Sequence, residues 1–143
     1  MSKVKVVYWS GTGNTQMMAD KIAEGIQAAG KEAEVLSVDA VSAEELAEEK
    51  AFALGCPSMG VEQLEEGEME PFMCDLEGQL SGKKVVLFGS YGWGNGEWMD
   101  DWVERCENAG AEVIGREGII CMGEPDDDVN DELIEAGKNL TAV

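Results

Sequence analysis

The segment Lys83-Lys84-Val85-Val86-Leu87-Phe88 is an unbroken apolar run behind two lysines, without the polar–apolar alternation of a strand that has one wet face. Such a run suits a strand covered on both sides, and a parallel sheet with helices on each face is the arrangement that covers it. The rest of the chain alternates in keeping with that demand. Lys3–Trp9, Glu34–Val38 and Lys50–Cys56 read as strands, and Glu112–Ile114 with Gly118–Cys121 reads as a last one, broken at Gly115. Between them lie helical patterns. Met17, Met18, Ile22, Ile26 and Ala29 recur at helical spacing up to Gly30, and Ser42-Ala43-Glu44-Glu45 is a capping box that opens a short helix. Further helices are expected over Pro71–Leu80, Glu97–Asn108 and Asp127–Leu140. Five strands alternating with five helices make an α/β domain with a central parallel sheet. At 143 residues, with no repeat and no linker composition, residues 1–143 are expected to form one domain.

In such sheets a ligand sits beyond the carboxyl ends of the strands. The loops expected there are Ser10–Thr15, Pro57–Glu62 and Ser90–Glu97, which are also rich in glycine, hydroxyl and aromatic residues. The first of them, Ser10-Gly11-Thr12-Gly13-Asn14-Thr15, leaves a strand and opens a helix. Its two glycines allow close backbone approach, and the N–H groups of a helix start face an anion. Ser10, Thr12 and Thr15 add hydroxyls and Asn14 an amide, whereas no lysine or arginine occurs between Lys5 and Lys21. That absence excludes a nucleotide-hydrolysing phosphate loop, which needs a lysine after its last glycine, and no G-x-G-x-x-G dinucleotide motif is present. A single terminal phosphate held by neutral donors fits this loop.

Three separated stretches, Val7–Thr15, Leu54–Gly60 and Leu87–Gly94, resemble the short-chain flavodoxins of anaerobic bacteria, in register across nearly the whole chain. The resemblance implies a flavodoxin-like three-layer αβα sandwich with a five-stranded parallel sheet of order 2-1-3-4-5. It also implies non-covalently bound FMN and service as a low-potential one-electron carrier rather than an enzyme. By that resemblance Ser10, Gly11, Thr12, Gly13, Asn14 and Thr15 would hold the FMN phosphate. The isoalloxazine would lie between Met59 and Trp93, the thioether and the indole both packing well on a flat ring. Pro57, Ser58, Ser90, Tyr91, Gly92 and Gly94 would complete the site. The turn Met59-Gly60-Val61-Glu62 would respond to the redox state, with Gly60 allowing a peptide flip and Glu62 accepting a hydrogen bond from the flavin N3–H. β-branched Val61 disfavours turn types that need φ > 0 at its position. Two alternatives on the same fold are an FMN-dependent quinone reductase and a flavodoxin-like enzyme activator.

Thirty acidic residues against ten basic ones, with no histidine, give a net charge of −20. Such a surface repels nucleic acid and anionic lipid and steers basic partners toward it. The expected partners are redox proteins with basic surfaces, met by a monomer that binds neither nucleic acid nor membrane. Between Ala51 and Gly82 there is no basic residue, and Glu62, Glu65, Glu66, Glu68, Glu70, Asp75 and Glu77 all fall there; the first several are expected around the flavin edge. No apolar run approaches the ~20 residues of a membrane span and no targeting pattern is present, so the cytoplasm is the expected location. Cys56, Cys74, Cys106 and Cys121 form no C-x-x-C pair and read as small buried hydrophobes, with no metal site.

Overall fold

Continuous burial along the central strands, whose side chains alternate between the two faces, and one-sided burial along the helices assemble two cores, one on each face of a single sheet. The computed structural model describes residues 3–11, 13–59, 63–92, 94 and 96–142. The strands are β1 (Val4–Tyr8), β2 (Ala33–Ser37), β3 (Ala51–Gly55), β4 (Lys84–Tyr91), β5 (Glu112–Val113) and β6 (Ile119–Met122). The helices are α1 (Asn14–Ala28), α2 (Ala43–Leu46), α3 (Met69–Glu77), α4 (Glu97–Asn108) and α5 (Asp127–Thr141), with a 3-10 turn at Val38–Ala40. All strand pairs are parallel and their order is β2-β1-β3-β4-β5, as the resemblance implied.

The fifth position of the sheet is shared. β5 pairs with the start of β4 (Val85↔Val113) and β6 with its end (Phe88↔Ile119 to Tyr91↔Met122). The break expected at Gly115 is therefore a full excursion, turning through Gly115 and Arg116, both at positive φ. Pairing with β6 also carries β4 three residues past the expected Phe88, so Ser90 and Tyr91 are strand residues rather than loop.

Side-chain alternation sorts the core. Val85 and Leu87 face the layer of α3 and α4, with Met73, Leu76, Trp98 and Trp102. Val86 and Phe88 face α1 and α5, with Met18, Ile22, Ile26 and Leu133. Met17, expected on the buried stripe of α1, is instead exposed. Of the cysteines, Cys56, Cys106 and Cys121 are buried as expected and Cys74 is exposed. Burial pushes the thiols of Cys56 and Cys106 up to about 12 and that of Cys121 up to about 11. These three are packing groups, not nucleophiles.

α1 and α5 touch backbone to backbone. A methyl group at Gly25 would lie 1.9 Å from the Ile134 carbonyl oxygen, and one at Gly137 would lie 2.1 Å from that of Ile22. Alanine at either position is expected to destabilise the fold by about 1–3 kcal/mol through overpacking, although alanine is normally the better helix former. Alanine at Gly78, which has open space around it and φ −70°, is expected to be neutral or mildly stabilising. Urea unfolding of the three variants checks the contrast.

Candidate functional site

The carboxyl ends of β1, β3, β4 and β6 meet at a cleft of about 280 Å³ lined by Trp9, Gly11, Asn14, Pro57, Ser58, Met59, Ser90, Tyr91, Gly92 and Gly123. Eight of these ten were legible as site residues. Trp9 and Gly123 were not: one is the residue before the phosphate loop and the other follows β6. The signal for Trp9 was its place at the end of β1. For Gly123 it was the position of β6, whose pairing with β4 brings Gly123 N–H to the Tyr91 carbonyl at 3.0 Å.

Backbone bonds fix the loops against one another. Trp9 N–H donates to the Gly55 carbonyl (3.0 Å) and Ser58 N–H to the Ser90 carbonyl (3.0 Å). Ser90 N–H donates to the Thr15 hydroxyl (3.4 Å), and the two hydroxyls lie 3.2 Å apart. Thr15 and Ser90 are the only polar residues among the described ones to be buried, at 0% and 4% exposure. Ser90 thus joins the start of α1, the end of β4 and the segment after β3.

α1 starts at Gly13, whose φ of 95° is a left-handed conformation that glycine adopts at no steric cost. Its first internal bond runs from Met17 N–H to the Gly13 carbonyl, 3.0 Å. That leaves the N–H groups of Asn14, Thr15 and Gln16 at the helix end, and among the described residues no side chain caps them. Gly13 N–H is not among the available donors, because it donates to Ser10 Oγ (3.0 Å); the Ser10 hydroxyl keeps its own proton to give.

The other four helices start differently. Ser42 and Glu45 close the expected capping box on α2. Asp126 caps α5, with Asp127 and Asp128 in its first turn, and α4 carries Glu97 and Asp100 there. The Glu65 carboxylate accepts from the N–H groups of Gly67 (2.7 Å), Glu68 (2.7 Å) and Met69 (3.0 Å), which explains why α3 begins two residues before the expected Pro71. Only α1 has no carboxylate at its start. In so acidic a chain this is the helix end suited to an incoming anion, through its dipole and free donors. A phosphate monoester fits that donor set.

The β3–α3 connection is pinned at its stem. Met59 and Gln63 exchange two backbone bonds of 2.9 and 3.0 Å, closing the loop from Gly60 to Glu62. Gly60, Val61 and Glu62 lie outside the described residues, as do Thr12 and Trp93. Met59 is half-buried in the cleft, Gly92 is exposed at its rim, and Gly94, not on the cleft wall, is exposed with φ 90°. Below the cleft, Trp98 Nε1 donates to the Cys56 carbonyl (3.0 Å) and its ring packs tilted against Tyr91 at 5.6 Å.

The acidic segment is less uniform than expected. Arg105 on α4 takes up Glu70 in a two-pronged pair (2.9 and 2.8 Å) and also pairs with Glu77. Glu66 accepts from Gln63, Glu68 from Trp9, and Glu65 caps α3. Glu65 is desolvated, which alone would raise its carboxyl, but its three N–H donors hold it below the usual range. The Arg105 guanidinium, by hydrogen bond first and by charge as well, holds Glu70 below the usual carboxylate range. Five of the segment's seven carboxylates, Glu65, Glu66, Glu68, Glu70 and Glu77, are therefore engaged in bonds within the fold.

Comparison with known proteins completes the description of the site. The family model described as Flavodoxin matches residues 6–138. A flavodoxin of Megasphaera elsdenii is 52% identical over 112 residues, covering 78% of this chain and 82% of its own length. One of Clostridium beijerinckii is 47% identical over 140 residues, covering 98% and 100%. The solution structure of two-electron reduced Megasphaera elsdenii flavodoxin superposes with a TM-score of 0.85 at 46% identity, covering 95% of this chain and 98% of that one.

The Glu70–Arg105 pair predicts a pH signature. A carboxyl lowered in the fold stabilises it fully above its unfolded value near 4.5, and that stabilisation is lost as pH falls through the lowered folded value. Arg105→Gln is expected to cost about 1 kcal/mol at pH 7, since the pair is half-exposed and screened. The gap to the unaltered protein should narrow below pH ~4.5 in denaturant titrations.

Proposed function

This chain belongs to the flavodoxin family, and from that membership we propose how its residues divide the work of an FMN-binding electron carrier. FMN, when bound, takes up and releases electrons one at a time through its isoalloxazine ring. A quinone reductase or an enzyme activator is not favoured, because relatives matching over nearly the full length are flavodoxins.

The phosphate is assigned to the start of α1. Its donors are the Asn14, Thr15 and Gln16 N–H groups, the Ser10, Thr12 and Thr15 hydroxyls and the Asn14 amide, with Gly11 and Gly13 allowing close backbone approach. The observation that carries the assignment is that this carboxylate-free helix end opens on the cleft that Asn14 and Met59 both line. Ring contact is assigned to Met59 on one face and Trp93 on the other. Pro57, Ser58, Ser90, Tyr91, Gly92 and Gly94 flank it, and Glu62 serves the N3–H edge. The paired backbone bonds of Met59 and Gln63 support a fixed seat for the Met59 side chain at the ring. Glutamates beside the cleft disfavour added negative charge, which lowers the potential for taking a second electron.

The net charge of −20 supports basic-surfaced redox proteins as the partners of a monomer. No described helix is long and apolar enough to cross a membrane, and the cytoplasm is the location this reading assigns.

A phosphate held by neutral donors inside an acidic protein gains from screening. FMN binding to the apoprotein is therefore expected to tighten as salt rises from about 0.02 to 0.5 M, the opposite of a site built on lysines. Asn14→Ala is expected to weaken it about tenfold, as for loss of a charge-assisted hydrogen bond. Fluorescence titration with FMN measures both. Affinity that falls with salt, or an Asn14 variant unchanged in affinity, counts against the assignment.

A further inference from the structure

Trp9 has the strongest unexplained position at the cleft. It follows β1, precedes the phosphate loop and lines the cavity, and its indole N–H bonds to the start of α3 rather than within its own loop. Trp9 Nε1–H donates to Glu68 Oε1 at 3.2 Å, across 59 residues of sequence. The indole also lies against Gly11: a methyl group there would sit 3.2 Å from the ring, tighter than ordinary van der Waals contact, so glycine lets the ring approach the phosphate loop closely. Glu68 is itself held at the start of α3, where its N–H donates to the Glu65 carboxylate. The Glu65 N–H in turn donates to the Cys56 sulfur, 3.4 Å, at the end of β3.

We propose that Glu68 is a positioning residue for the cofactor, acting through Trp9. The carboxylate fixes the indole about its last torsion, so that the ring stays seated as a wall between the phosphate loop and the Met59 loop. Without that acceptor the half-buried indole can turn and carry Gly11 with it, and the cleft loses its shape before FMN arrives. The two loops belong to different strands, and this is the side-chain bond that straps one to the other outside the sheet. The role needs an acceptor at Glu68 and a donor at Trp9, not a negative charge. The inference rests on FMN occupying the cleft of Asn14 and Met59.

Four variants separate the possibilities: Glu68→Ala, Glu68→Gln, Trp9→Phe and the double variant Trp9→Phe/Glu68→Ala, with FMN affinity of the apoprotein as the readout. Glu68→Ala and Trp9→Phe are each expected to weaken FMN binding about five- to tenfold, the loss of one hydrogen bond to a charged group. Glu68→Gln keeps an acceptor and should stay within about twofold of the unaltered protein. The double variant should lose no more than either single one, because both remove the same bond. Additive losses overturn the proposal, and so does a Glu68→Gln variant as weak as Glu68→Ala, which would make the effect one of charge. A fall in the unfolding midpoint of Glu68→Ala with unchanged FMN affinity also overturns it, leaving Glu68 a helix-start residue only. Asn14→Ala separates the layers of argument. If it weakens binding while the Trp9 and Glu68 variants do not, only the strap fails; if none of them matters, the siting of FMN fails as well.

Discussion

Three hydrogen bonds at Ser90 hold together the end of the molecule that carries its chemistry. Ser90 N–H and hydroxyl reach Thr15 at the start of α1, and the Ser90 carbonyl takes the Ser58 N–H from the segment after β3. The residue is buried, so each of these bonds would cost more to leave unmade than it contributes when made. The start of α1 and the segment after β3 lean on the same strand end, and their spacing is set there. Everything proposed for the site, from the open helix start to the Met59 stem, presupposes that spacing.

The distribution of carboxylates is the second constraint. In a chain of net charge −20, helix starts are places where acidic residues do useful structural work, and four of the five helices place them there. The exception is α1, which keeps the favourable end of a helix dipole for an outside anion. Arg105 performs the reverse service, binding Glu70 and Glu77 to α4 on the outer layer. Acidity here is a set of local assignments rather than a uniform field.

Much of this was legible from local pattern. The apolar run at Val85–Phe88, the glycine–hydroxyl loop after β1 and the capping box at Ser42 each encode their structure within a few residues, and each is realised. What escaped was non-local. β4 extends to Tyr91 because β6 pairs with it, and nothing near Gly89 announces that partner. α3 starts early because a glutamate four residues upstream caps it. Trp9 and Gly123 join the cleft wall only because β1 and β6 end at the same level of the sheet. The capture of Glu77 by Arg105 was out of reach for the same reason, since Arg105 lies 28 residues further along the chain.

The glycine contact between α1 and α5 ties the site to the order in which the chain is made. α1 carries the helix end proposed for the phosphate, and α5, against which its backbone rests, is translated after it. Until α5 arrives, the face of α1 marked by Ile22, Gly25 and Ile26 has no lid. A nascent chain therefore owns every residue of the loop after β1 before it owns the surface that seats them.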